Sequence, residues 1–217
     1  MLYHFSKVVF RYMSRKMFFT TLNVVGLSIG LASCIVIYLF VRHELSYDKF
    51  HRDGEAIYRV LRQSEMNQMP YNIGVTAAPF APALKQDFPQ AIQSVTRVLP
   101  FDGLVSFKDQ SFIEDKLLLA DNNFFTFFSF PLVKGDAASV LKNGNSIVLS
   151  RTLTQKYFGD EDPIGKNLRI DDQYDMMVTG VMDAFPGNSH LQFEAVASIN
   201  IAEQEDWFND WWGNAFF

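Results

Sequence analysis

Acidic residues are missing from the first 42 positions, charge of either sign from positions 17–41, and cysteine from every position but 34. Each absence excludes something. With Cys34 alone no intrachain disulfide can form, so whatever part of the chain folds in water stands on its apolar core. The four histidines (His4, His43, His51 and His190) lack metal-ligand spacing, which argues against a zinc site. No isolated carboxylate pair stands out among the acidic residues. The residues therefore point to no catalysis, no cofactor and no resident metal.

The charge is unevenly spread. Residues 1–42 carry five basic side chains (Lys7, Arg11, Arg15, Lys16, Arg42), whereas all 24 acidic residues lie beyond them. The acidic remainder would be repelled by a phosphate backbone, so nucleic acid is excluded as a partner. Basic residues beside an apolar segment tend to stay cytoplasmic. Lys7, Arg11, Arg15 and Lys16 are accordingly expected to fix the topology, with the N-terminus in the cytoplasm.

The uncharged stretch contains LNVVGLSIGLASCIVIYLFV from Leu22, 20 residues that would span about 30 Å as a helix, the thickness of a hydrocarbon core. A cleaved signal peptide fits poorly, because the apolar run is too long and leads into FVRHELSYDKF with no small-residue cleavage pattern. The expectation is an uncleaved anchor in membrane lipid. Three parts follow: an interfacial amphipathic helix over 1–18, a transmembrane helix over 19–42 and a folded domain over 43–217. In the first part Leu2, Phe5, Val9 and Tyr12 recur at helical spacing opposite His4, Lys7, Arg11 and Arg15. Gly26 and Gly30 form a G-x-x-x-G, with Cys34 one turn further along the same face, which would allow close approach of another membrane helix.

Beyond the span, short apolar or alternating runs predict strands over 57–62, 95–99, 112–119, 146–149, 176–182 and 195–199. Helical patterns fall over 77–87, 121–128 and 151–158, with Asp121 placed as an N-cap. Their order has no strict βαβ rhythm, so the class is α+β with a mixed sheet. The loop GDEDPIGKN from Gly159 superficially suggests phosphate binding, but the spacing is wrong and Asp160, Glu161 and Asp162 would repel the ligand. It reads as an acidic turn closing a helix and opening a strand. Asp171 and Asp172 read as a solvated face, and Phe124, Phe125, Phe127, Phe128 and Phe130 as core. The aromatic end WFNDWWGNAFF suggests a chain cut within a domain.

Five segments, in order, carry a resemblance: FRYMSRKMFFTTLNVVGLSIGLA, ELSYDKFH with IYRV following, DNNFFTFFSFPLVKGD, IVLSRTLTQKYFGDEDPIGKNL and VTGVMDAFPGNSHLQF. Together they resemble the permease subunits of ABC transporters of the MacB and FtsX type. The resemblance implies a first transmembrane helix in the bacterial inner membrane followed by a MacB-like periplasmic core domain. It also implies a separate ABC ATPase subunit, further permease helices beyond this N-terminal fragment, a second permease copy and a periplasmic adaptor. On that basis the chain is expected to be a non-catalytic component for export or extrusion. Gly26 and Gly30 would then contact sibling helices. Two alternatives stay open: a single-span extracytoplasmic sensor, and an FtsX-like regulator of cell-wall hydrolases.

Overall fold

The computed structural model describes Arg11, residues 15–66, 69–183, 187–204 and Phe208. Contacts divide the chain into two units, Met1–Tyr47 and Asp48–Phe217. Each is described by itself.

The first unit holds one long helix, α1 (Met17–Glu44). It contains no proline and no charge before its last turn, so no backbone hydrogen bond need be broken along it. The Ser33 hydroxyl donates to the Ile29 carbonyl one turn back (2.9 Å), which satisfies it without water. Arg42 and His43 stand in the last turn, where a positive charge complements the carbonyl end of the helix. None of its residues is buried, and side chains such as Phe18, Leu27 and Val36 stand fully open. Its 28 residues reach about 42 Å, long and apolar enough to cross a membrane. The interfacial helix expected over 1–18 lies for the most part outside the described residues.

The second unit is an α+β domain on a mixed sheet. A 3-10 turn (Gly54–Ala56) precedes a two-stranded hairpin, β1 (Arg62–Met66) with β2 (Met69–Ile73), and α2 (Phe80–Asp87) follows. The main sheet is built from β3 (Val98–Phe107), β4 (Gln110–Ala120), β5 (Leu132–Lys134), β6 (Ser146–Ser150), β7 (Asn167–Ile170), β8 (Tyr174–Met182) and β9 (Ala195–Ser198). Between them lie α3 (Phe124–Phe128) and α4 (Arg151–Phe158), and α5 (Asn200–Glu203) comes last. The strand order is β5-β8-β6-β9-β4-β3-β7, and β7 also pairs with β8. The sheet thereby curls into a ring of six strands with β5 attached outside it. The pairs β6–β8 and β4–β9 are parallel and the rest are antiparallel.

Side chains alternate between two cores along the strands, as a pleat requires. Val105, Leu117, Leu119, Ile147, Leu149, Leu168, Met176 and Val178 join Leu153, Tyr157 and Phe158 of α4 in one. Leu118, Ala120, Val148, Met182 and Val196 face the other way, onto Phe124, Phe125 and Phe130. Each such buried side chain contributes about 1.5–3 kcal/mol of transfer free energy. The phenylalanine run is therefore core at Phe124, Phe125 and Phe130, with Phe127 and Phe128 half-buried at its rim.

Several expectations need correction. The segment 57–61 is unpaired, with Tyr58 and Leu61 exposed, and pairing starts only at Arg62. The helix expected from Ala77 starts at Phe80, because Pro79 sets its entry while Ala77 and Ala78 are buried ahead of it. Asp121 is not an N-cap. Asn123 occupies that position in α3, and the Asp121 carboxylate instead accepts from the Arg97 backbone N–H (2.6 Å) and guanidinium (2.7 Å). Asp171 and Asp172 are exposed, as expected of a solvated face, but they also do a backbone job. Both adopt left-handed φ (50° and 54°) in the β7–β8 turn, which aspartate tolerates better than most residues. Asp171 further ties that turn to β3 through reciprocal bonds with the Leu104 backbone, each 2.8 Å.

Candidate functional site

A side chain added at Gly26 or Gly30 would meet nothing within 4 Å, and the Cys34 thiol is free and exposed. The motif thus leaves backbone open for a partner helix, and the described residues provide none. Of the topology residues, Arg11, Arg15 and Lys16 are exposed, and Lys7 lies outside the described residues.

The acidic loop behaves as an anionic turn and not as a phosphate cradle. It leaves α4 through Gly159 (φ 58°) and enters β7 after Gly165 (φ 79°). Lys166 is hydrogen-bonded to Glu161 of the same loop, and this bond, with the charge of Lys108, holds the Glu161 carboxyl below its ordinary range. Lys134 bonds Asp162 (3.0 Å), and Arg151 bonds Asp183 (2.9 Å), around an open groove of about 610 Å³. Its cations are therefore spoken for. Among the described residues no cluster of three His, Cys, Asp or Glu groups could hold a metal ion.

The densest polar arrangement lies where the domain begins. The Asp48 carboxylate accepts from the His190 backbone N–H (3.0 Å) and approaches its ring Nδ1 at 2.5 Å, while the Asp48 N–H donates to the Asn188 carbonyl (3.1 Å). Burial works to raise this carboxyl, but the hydrogen bonds from the His190 backbone and ring outweigh it and hold it below its ordinary value of 3.8. One turn on, buried His51 bonds the Phe128 carbonyl through Nδ1, its Nε2 lies 4.0 Å from Asp48, and its ring packs among Phe50, Phe128 and Phe130. Composition gave no hint of this: residues 142 positions apart meet only through the fold.

A second network fastens the far end of the described chain. The Arg97 guanidinium forks between Asp121 (2.7 Å) and Glu203 (2.5 Å) and lies 5.6 Å over the ring of Phe208. Burial works against this cation, yet both carboxylates outweigh it and raise its pKa. Phe208 is the one residue of the aromatic end that falls within the described residues, and it is buried.

With this geometry in view, the comparisons with known proteins can be placed. The profile of the MacB-like periplasmic core domain matches residues 20–215, so it takes in both the apolar helix and the mixed-sheet domain. Among solved structures, a domain assigned to a permease protein from Porphyromonas gingivalis superposes with a TM-score of 0.57 at 24% identity, covering 71% of this chain and 66% of that one. The periplasmic region of MacB from Actinobacillus actinomycetemcomitans aligns at 19% identity and TM-score 0.49, over 65% of this chain and 61% of that one. The extracellular domain of the ABC-type transporter YknZ from Gram-positive bacteria gives 15% and 0.46, over 65% and 70%. This chain therefore spans just under two thirds of the first two domains. No curated protein matches it.

Proposed function

Because the chain belongs to the MacB-like periplasmic core domain family, we propose that it is the membrane-anchored permease part of an ABC transporter. In this reading α1 crosses the inner membrane with its basic end in the cytoplasm, and the domain from about residue 43 stands in the periplasm. A partner ATPase hydrolyses ATP, and the permease converts the resulting motion into a periplasmic conformational change that drives export. The chain contributes no catalytic group. Gly26, Gly30 and Cys34 pack against further permease helices, and a second permease copy and a periplasmic adaptor complete the assembly. The observation that carries the reading is the extent of the family match, which joins an apolar helix to this particular domain in one profile.

The experiment is affinity purification of the tagged protein from crosslinked native membranes, followed by mass spectrometry. The expected result is enrichment of an ATPase bearing a G-x-x-x-x-G-K-[ST] loop, reduced several-fold in a Gly26→Leu, Gly30→Leu variant. Recovery of a cell-wall hydrolase or a signalling protein, with no ATPase, overturns it.

A further inference from the structure

We propose that residues 48–51 form an acid-released clamp that fastens the first turn of the domain, four residues past the end of α1, to the turns at 187–190 and 128–130. The inference goes beyond the permease reading and does not depend on it. Three bonds converge from one side: the Asp48 N–H to Asn188, and the Asp48 carboxylate to the backbone and ring of His190. From the other side His51 bonds the Phe128 carbonyl and the Arg52 N–H reaches the Ser129 hydroxyl (3.4 Å). Asp48 joins the two sides, since it lies 4.0 Å from His51 and 2.5 Å from His190.

The charge on Asp48 is the element that acid removes. Among the described residues the titratable groups facing it are His51 from its own turn and His190 from the 187–190 turn; the 128–130 turn presents rings, a carbonyl and a hydroxyl. Its depressed pKa fixes the sign. The clamp is held in full above 3.8, the ordinary value, and is lost as pH falls through the lower folded value, because protonation turns an acceptor of charge-assisted bonds into a neutral acid. Phe50 and Phe130 still pack beside His51, so release opens a local segment while the sheet stays closed.

The test is amide hydrogen exchange on the full chain in lipid nanodiscs, with rates corrected for intrinsic pH dependence. At pH 7 the Asp48→Asn variant is expected to raise exchange in 48–52 and 187–193 at least tenfold and to leave β6 and β9 unchanged. Acidifying the native protein until Asp48 protonates is expected to produce the same local opening, which the variant no longer shows. Unchanged exchange in those segments, or a rise spread evenly through the sheet, overturns the proposal. If Asp48→Asn does not fold, His190→Gln decides: this side chain is 73% exposed, and an increase of two- to fivefold confined to the same segments is expected. No increase there overturns the clamp.

Discussion

Arg97 illustrates how much a single side chain carries in this fold. Its side chain is 12% exposed, and it is forked between two carboxylates on different elements, a geometry that a planar guanidinium can satisfy and an ammonium cannot. Truncation to alanine leaves Asp121 charged and largely buried, with the Arg97 backbone N–H as a remaining donor. The expected cost of Arg97→Ala is about 3 kcal/mol, the low end for a broken buried pair because Glu203 is partly solvated. Arg97→Lys is expected to recover less than half of it, both read from urea midpoints. Gly135 is the backbone counterpart. Its φ of 97° is a glycine conformation, and a Cβ there would come within 2.9 Å of the Thr179 carbonyl, so Gly135→Ala is expected to lower stability by about 2–3 kcal/mol on the same measurement.

Elements differ in how openly their residues announce them. The helix α4 was plain in the sequence, because RTLTQKYF puts Leu153, Tyr157 and Phe158 on one face and Ser150 ahead of it caps the Leu153 N–H at 3.0 Å. That cap also bonds Glu194, so Ser150→Ala is expected to cost about 1–2 kcal/mol in the urea midpoint. The runs at β6 and β9 were equally legible, since strands buried on both faces read as apolar stretches, and β8 showed by its alternation. β5 was not, at three residues, and β7 was foreshadowed only as the strand that the acidic turn opens. β5 pairs with β8, far away in sequence, and β7 pairs with distant β3 as well as in a hairpin with β8, so no local period records the strand order. The same applies to the clamp: ELSYDKFH and NSHLQF both stood out, but nothing in either says that Asp48 meets His190. Asp121 misled for a related reason, since a carboxylate that can cap a helix can equally well bind an arginine 24 residues earlier.

At the scale of the molecule the charge split does the sorting. A positive end before an uncharged helix and an acidic domain after it favour one orientation in a bilayer. A periplasm-dependent reporter fused after residue 60 is therefore expected to be active. Replacing Lys7, Arg11, Arg15 and Lys16 together by glutamine is expected to lower that activity several-fold by letting part of the population insert the other way round. Activity of a cytoplasm-dependent reporter in the unaltered chain would reverse the assigned orientation. The mixed sheet, finally, has a consequence in time. β9, the last strand among the described residues, lies between β6 and β4 and is the strand that joins them. Until it arrives, the described strands β3 and β4 are joined to the group around β8 by strand pairing at just the two residue pairs of β3 with β7. Closing such long loops is slow. Until β9 docks, the chain holds apolar strands uncovered, which makes that interval the moment when a chaperone matters most to this protein.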